Sequence, residues 1–381
     1  MKGARPINLA LQGGGSHGAF TWGVLDCLLE DGRFAIEGVS GTSAGAMNAV
    51  CLADGMVTNG PEGAREKLHD FWRAVGRNWR WNPVQRTPWD MFMGNWSLDH
   101  SPGFLFWDTV SRFFSPYDVN PLNANPLLET IRAEIDFERV HRCEEIKVFV
   151  SATNVWNGKV RVFGEKDVTA EAVMASACLP DLFQAVEIDG VPYWDGGFMG
   201  NPSLFPFFER TRSEDIVLVQ INPVERAETP RTARDILNRI DEITFNASLL
   251  REFRAIDFVS RLIDEGKLER GHYKQIRMHR IAADEALKPL SASSKSNTEW
   301  QFLKHLRDIG RAAALDWLDM ASDKVGVEPG IDLADETAYR LVSPRDHPPA
   351  TPRVRDMLAK MRGVVGWKSQ ERRDDQRSRL P

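Results

Sequence analysis

The feature that most restricts the fold of this chain is an apolar segment that runs directly into three consecutive glycines. Residues 7–12, INLALQ, have the composition of a buried strand, and glycines 13–15 follow at once. Residues 17–31 then place apolar side chains at helical spacing and stop at Gly32. A strand, a glycine turn and a helix in this order are typical of α/β proteins, in which such a turn presents backbone N–H groups to negative charge.

Two kinds of negative charge fit this turn. Gly13, Gly15 and Gly18 match the G-x-G-x-x-G pattern that holds a dinucleotide pyrophosphate at a helix N-terminus. The same N–H groups would also stabilise the oxyanion of a reacting ester. A dinucleotide site needs an acidic residue at the end of the second strand, but residues 34–41, FAIEGVSG, end without one. We therefore expect no cofactor, and a dinucleotide-dependent enzyme remains the less favoured alternative.

The second predicted strand ends in the pattern G-x-S-x-G. Gly41, Ser43 and Gly45 carry it, between a strand and a helix, which is the context of a nucleophile elbow. The tight turn would lift the Ser43 hydroxyl clear of the sheet, and the flanking glycines would avoid clashes where chain segments crowd. Because the first two strands of a parallel sheet commonly lie side by side, we expect glycines 13–15 to face Ser43.

A serine nucleophile needs a base. Of the eight histidines, four follow Ser43 at distances that suit a triad, but none lies in a recognisable loop signature, so structural or surface roles are favoured for His272, His279, His305 and His347. Asp195 instead ends an apolar strand, VPYWD, directly before two glycines. A carboxylate with a pKa near 4 is a weak base at pH 7, yet within hydrogen-bond reach it accepts the serine proton as attack proceeds. An ordinary Asp-Gly turn residue is the structural alternative.

The segments GGGSHGAF, GTSAG and DGG, in this order and with these separations, resemble the patatin-like phospholipase family. Its members are lipid acyl hydrolases with a Ser–Asp dyad. The resemblance implies that Gly13, Gly14 and Gly15 line the oxyanion hole, that Ser43 is the nucleophile and that Asp195 is the base. It also implies a lipid ester as substrate.

The resemblance further implies a three-layer α/β/α fold with a mostly parallel central sheet. Strands and helices alternate over roughly the first 325 residues, as such a fold requires. We expect one hydrolase domain over residues 1–350, with an aromatic-rich helical insert at about 77–124. Residues 351–381 carry nine Lys or Arg against four Asp or Glu and few apolar residues, which predicts a basic, partly disordered tail.

One position departs from the family pattern. The family commonly has Arg or Lys two residues after the glycine triplet, where this chain has His17. A histidine there would make activity sensitive to pH if its charge supported the loop or the oxyanion. Packing of the loop is the favoured role for His17, and the sequence leaves open whether it affects catalysis.

The insert is rich in aromatic residues, with six of the twelve tryptophans lying between Trp72 and Trp107. Walls or a lid for an acyl chain are one interpretation, and packing of the insert onto the sheet is the other. Residues 88–96, PWDMFMGNW, also suit peripheral contact with a lipid surface, because Trp favours boundaries between water and apolar material.

Composition excludes several other classes. A net charge of −6 gives no broad basic surface, so we expect no nucleic-acid partner. The sequence contains no run of eighteen apolar residues, so we expect no membrane-spanning helix. No group of potential ligands has the spacing of a metal site. The first residues lack the apolar core of a signal peptide. The four scattered cysteines suit free thiols. We therefore expect a cytoplasmic enzyme without metal, and keep a non-catalytic lipid-binding or partner-binding protein of the same fold as the main alternative.

Overall fold

A mixed, mostly parallel sheet forms the centre of the molecule. The computed structural model describes residues 4–77, 84–226 and 229–337. The strands are β1 Arg5–Leu11, β2 Phe34–Gly41, β3 Lys147–Asn154, β4 Val160–Gly164, β5 Val186–Ile188, β6 Val191–Asp195, β7 Asp215–Val219 and β8 Arg277–Ile281. β3, β2, β1, β7 and β8 run parallel in that spatial order, while β4 and β6 pair antiparallel with β3, and β5 with β6.

Helices cover both faces of this sheet. They are α1 Gly18–Asp31, α2 Ala44–Arg77, α3 Pro88–Phe92, α4 Pro102–Ser111, α5 Pro116–Val119, α6 Pro126–Glu134, α7 Phe137–Arg142, α8 Ala170–Ser176, α9 Phe205–Arg210, α10 Ala233–Asp264, α11 Asp284–Leu287, α12 Trp300–Met320 and α13 Leu333–Glu336. Alternate residues of β1 show the two faces: Leu9 and Leu11 belong to the larger buried cluster with α1, α2 and α12. Ala10 belongs to a second cluster with α9 and α10. The three-layer α/β/α prediction is therefore confirmed.

The segment SAGAMNAVCLADG, residues 43–55, predicts a helix that ends at Gly55. This boundary is wrong, because α2 continues through Gly55 and breaks only at Asn59 and Gly60, whose backbone angles are not helical. A Cβ on Gly55 would lie 2.4 Å from the Cα of Ala64. The glycine therefore permits close packing of the chain across the break, rather than capping a helix.

The described part of the insert consists of the short helices α3, α4 and α5. Each begins with a proline that follows Thr87, Ser101 or Ser115, a common N-cap arrangement. Of these helices, α4 has no fully buried residue, and the two interpretations of the insert stay open. Residues 78–83, the start of the insert, lie outside the described residues.

The described residues up to Thr337 form one compact unit. The predicted domain end at residue 350 and the predicted basic tail, 351–381, lie outside the described residues and stay predictions. Within the described ranges, every helix is too short or too polar to span a bilayer.

Candidate active site

Ser43 occupies a strained turn between β2 and α2. Its backbone φ is +53°, a left-handed conformation that is costly for a residue with a Cβ. The backbone N–H of Ser43 donates to Oγ of Ser176 at 2.9 Å, which ties the turn to the end of α8. The serine is only 8% exposed. These features describe a nucleophile elbow enclosed by the protein.

Close backbone packing explains the glycines around this turn. A Cβ on Gly41 would lie 2.4 Å from the carbonyl oxygen of Gly45, and a Cβ on Gly45 would lie 2.2 Å from that of Leu11. A Cβ on Gly13 would lie 2.8 Å from the Cβ of Ser43. Real Cβ atoms do not approach so closely, so these three positions admit no side chain, and the glycine loop lies directly against Ser43.

The topology brings β6 to the end of β2. Ala152 and Thr153 of β3 each pair with both β4 and β6, so β4 and β6 lie on opposite edges of β3. Phe149 and Val150 pair with both β2 and β4, so β2 also lies opposite β4. β2 and β6 therefore follow one another along the same edge of β3. This arrangement places Asp195, the last residue of β6, beside the turn that follows β2.

The Asp195 carboxyl group is buried, and the Ser43 side chain is near enough to lower its pKa. Its Oδ1 also accepts the backbone N–H of Gly197 at 2.7 Å. Burial raises the pKa of Asp195 to about 7, although the hydrogen bonds from Gly197 and Ser43 act in the opposite direction. The ordinary pKa assumed from sequence was therefore too low. A carboxylate with a pKa near neutrality is a much better base for a serine hydroxyl at pH 7.

The three glycines of the loop differ in whether their backbone N–H groups are already hydrogen-bonded. Gly13 donates its N–H to Oδ1 of Asn201 at 2.7 Å, and its carbonyl oxygen accepts Nδ2 of Asn222 at 2.7 Å. The N–H groups of Gly14 and Gly15 have no acceptor among the described residues. The Gly13 N–H is therefore already occupied, and only the N–H groups of Gly14 and Gly15 are left for an oxyanion among the three glycines. The oxyanion hole itself stays a prediction.

Sequence reasoning missed Asn201 and Asn222. Both are buried and hold the glycine loop, as the contacts with Gly13 show. The available signal was their pattern: each precedes a proline, and Asn222 follows a buried strand closely. Asn-Pro pairs mark sharp turns, which are the places where a polar side chain reaches a neighbouring loop. Ser176 was also missed, and no local pattern distinguishes it.

His17 packs against the segment that precedes α12. Its Nε2 lies 2.7 Å from Oγ of Ser294, and its ring meets that of Phe302 edge to face. Burial lowers the pKa of His17 to about 3, and the nearby charge of Lys295 adds to the effect. His17 is therefore neutral near pH 7, which agrees with a packing role in the loop.

None of the other three candidate histidines in the described ranges hydrogen-bonds to Ser43 or Asp195. His279 is buried and pairs with Asp215 at 2.9 Å, and His305 stacks on Trp96. His272 is exposed beside Glu269. The fourth candidate, residue 347, lies outside the described residues.

No metal cluster is found at the site: across the described ranges, no group of three His, Cys, Asp or Glu side chains is arranged to hold an ion. The arrangement of hydroxyl, buried carboxyl and free amides is suited to acyl transfer, since that chemistry requires a nucleophile, a base and donors for an oxyanion.

Comparison with known proteins gives the family. Among solved structures, VipD from Legionella pneumophila is 16% identical, with 95% of this chain and 76% of that chain covered and a TM-score of 0.38. The ExoU–SpcU complex of Pseudomonas aeruginosa is 15% identical, with 96% and 65% covered and a TM-score of 0.32. Scores this low support no functional inference, and no curated protein matches the chain. The patatin-like phospholipase model, however, matches residues 9–209, more than half of the sequence. The chain therefore belongs to the patatin-like phospholipase family.

Proposed function

We propose that this protein is a serine lipid acyl hydrolase that cleaves carboxylic esters through an acyl-enzyme. The observation that carries the proposal is the buried carboxyl of Asp195, which ends β6 beside the turn that holds Ser43 and whose pKa is raised to about 7. In the first step, Oγ of Ser43 attacks the ester carbonyl carbon while its proton passes to Asp195. The oxyanion that forms accepts hydrogen bonds from the free N–H groups of Gly14 and Gly15.

The second half of the cycle regenerates the serine. Collapse of the tetrahedral intermediate expels the alcohol, which takes the proton from Asp195, and leaves an acyl ester on Ser43. A water molecule then loses a proton to Asp195 and attacks the acyl carbonyl carbon. When Ser43 leaves, it recovers that proton, and the carboxylic acid is released. No metal or cofactor takes part in these steps.

Replacement of Ser43 by alanine tests the mechanism directly. We expect turnover of a p-nitrophenyl ester to fall by at least about 10³-fold, because the nucleophile is lost while binding remains. An organophosphonate should modify Ser43 in the parent protein, as peptide mass spectrometry would show. Ser260→Ala, on α10 and outside the site, serves as the matched control. Equal rates for parent and Ser43→Ala would favour the non-catalytic alternative and overturn the proposal.

The insert supports a lipid substrate and peripheral contact with a membrane. It exposes large apolar side chains on consecutive short helices: Trp89 at 68%, Phe92 at 80%, Phe106 at 68% and Phe113 at 79%. Such a concentration of exposed aromatic surface marks an interaction site rather than ordinary scatter. Aromatic side chains of this kind favour the boundary of a bilayer.

The insert is also attached to the neighbourhood of the site. The Tyr117 hydroxyl accepts the backbone N–H of Ala185 at 3.2 Å, and Gln184 donates its side-chain amide to the carbonyl oxygen of Asn120 at 2.7 Å. This partner segment leads from Ser176, which accepts the N–H of Ser43, towards β5. We therefore propose that a lipid surface contacts the exposed aromatic side chains of the insert.

Vesicle binding tests this contact. The double variant Trp89→Ser and Phe92→Ser should weaken partition to phosphatidylcholine vesicles by about tenfold or more, because two large apolar side chains no longer enter the interface. Its hydrolysis of a water-soluble short-chain ester should be unchanged. The control changes Met320 and Val327 to serine, which are 85% and 77% exposed but lie outside the insert. Equal vesicle partition of parent and insert variant in a sedimentation assay would contradict membrane contact through α3.

A further inference from the structure

A buried polar chain connects Lys295 to the glycine loop. Lys295 lies in the 3-10 helix Ala292–Ser296, and its Nζ donates to Oδ1 of Asn222 at 2.8 Å. Nδ2 of Asn222 in turn donates to the carbonyl oxygen of Gly13 at 2.7 Å. An ammonium, an amide and a peptide carbonyl thus stand in line, and each polarises the next.

The direction of this last hydrogen bond determines where Gly14 points its N–H. The carbonyl of Gly13 and the N–H of Gly14 belong to one planar trans peptide and point in opposite directions. Because Asn222 holds that carbonyl, the Gly14 N–H is directed away from Asn222. The preceding peptide is held as well, since Gly13 donates its N–H to Asn201. Two successive peptides of the loop are therefore fixed in orientation.

The parts that hold the loop are themselves fixed. The backbone N–H of Asn222 donates to Oε1 of Gln12 at 2.9 Å, and Asn222 is only 1% exposed. A Cβ on Gly15 would lie 2.5 Å from the carbonyl oxygen of Lys295, so the backbone of the 3-10 helix lies directly on the loop. The position of Lys295 is thus set by packing and not by its side chain alone.

Lys295 is also the cation that faces the loop from this side. Its neighbours are Glu242 and Asp241 on α10, which favour its charge, and Arg226, which opposes it. Burial lowers the pKa of Lys295, yet no carboxylate of the described residues lies within ion-pair distance of its Nζ. His17, on the loop itself, is neutral. Among the described residues, Lys295 is the cation that is linked to the loop through Asn222.

We propose that Lys295, acting through Asn222, is a positioning residue that orients the Gly13–Gly14 peptide so that the Gly14 N–H meets the oxyanion. This inference rests on the proposed function. Lys295 does not touch the substrate; it places a positive charge two hydrogen bonds from the loop and restricts the amide that binds the developing charge. The benefit is confined to the transition state, because the ester carbonyl carries little charge before attack.

Lys295→Met should lower kcat for a short-chain p-nitrophenyl ester by about tenfold, less than the loss of about 10²–10³-fold expected when a direct oxyanion donor is removed. The KM should stay within about twofold, since ground-state binding is untouched. The rate constant for modification by an organophosphonate should fall in parallel. Lys295→Arg should recover most of the activity, whereas Lys324→Met, which removes an exposed lysine, should match the parent.

Asn222→Asp separates the relay from simple packing. The aspartate keeps an acceptor for Lys295 but, when ionised, has no N–H for the carbonyl of Gly13. The kcat of Asn222→Asp should therefore also fall. Thermal unfolding of this variant and of Lys295→Met shows whether each is folded. An unchanged kcat in either folded variant, or a raised KM with kcat intact, would overturn the inference. Full activity of Ser43→Ala would instead overturn the proposed function, so the two failures are distinguishable.

Discussion

Two buried aspartates lie at opposite ends of the sheet, and the protein shifts the pKa values of their carboxyl groups in opposite directions. Asp195 lies where β6 ends, next to the turn after β2, and burial raises its pKa to about 7. Asp215 begins β7, at the amino ends of the parallel strands, and its pKa is well below the usual range. Both side chains are almost inaccessible, at 1% and 3% exposure. Burial alone does not explain the difference.

The charge of the partners explains it. Burial by itself would raise the pKa of Asp215, but hydrogen bonds from His279 and Arg277, the N–H of Gly326 and the charge of Arg277 outweigh that effect. Among the described residues, the groups whose hydrogen bonding lowers the pKa of Asp195 are both neutral, namely Gly197 and Ser43. A buried carboxylate with a cationic partner stays ionised and stabilises the fold, whereas one with neutral partners retains affinity for a proton. Only the second can serve as a base near pH 7.

The largest effect is expected at the structural end of the sheet. Asp215→Asn should lower the free energy of unfolding by about 3 kcal/mol, because the half-buried Arg277 and the buried His279 both lose the carboxylate that they contact. Urea denaturation measures this loss. Asp308→Asn, an exposed residue paired with its neighbour Arg307, should cost less than about 0.5 kcal/mol.

The same experiment has a pH dependence of known sign. Because the pKa of Asp215 is lower in the folded protein, its stabilisation is present above about pH 4, the usual pKa of aspartate, and is lost as the pH falls below it. The difference in stability between parent and variant should shrink accordingly. Ester turnover by the folded variant should equal that of the parent, and a large loss of turnover would break the division between a structural and a reactive carboxylate.

Asp195→Asn should have the opposite profile. We expect a folded protein of parental or higher stability, since a costly buried carboxyl group is removed, with turnover reduced by about 10²-fold or more because no base remains. Circular dichroism and urea denaturation check the fold, and ester hydrolysis checks the rate. Normal turnover would show that another group accepts the serine proton.

The pH–rate profile sharpens this second test. In the proposed mechanism the carboxylate form of Asp195 is the base, so turnover by the parent should fall about tenfold per unit as the pH drops well below its raised pKa of about 7. The residual activity of Asp195→Asn should lack this limb. A parental profile that is flat from pH 5 to 8 would mean that the group with the raised pKa is not the one that limits the reaction.

The aromatic insert shows the limit of composition as evidence. The sequence predicts short helices there, and α3, α4 and α5 confirm it, because Pro after Thr or Ser is a local signal for a helix start. Composition did not reveal that α4 buries none of its residues, since the same aromatic side chains suit a core or an exposed surface.

The sequence by itself determined the local features of the fold, namely strands, helix ends and tight turns, because short-range sterics decide them. Residues 34–41 form β2 as predicted, and α1 is followed by Gly32 with a left-handed φ of 71°. The Asp-Gly pair 189–190 makes the tight turn between β5 and β6 with φ of 53° and 75°. Gly41 belongs to the same class, because a Cβ there would meet the backbone of Gly45 within one strand–turn–helix unit, whereas Gly13 and Gly45 meet segments far away in the chain.

Only the tertiary structure decided how distant segments meet. β6 pairs with β3 beyond the point where β2 ends, on the same edge of β3, and this pairing brings residue 195 to residue 43. No local sequence pattern specifies the register of β6 on β3. The raised pKa of Asp195, the occupied N–H of Gly13 and the approach of Lys295 through Asn222 also depend on burial and on contacts between residues far apart in the chain. Electrostatic energies of this kind depend on what surrounds a group in three dimensions, which the order of residues does not specify locally.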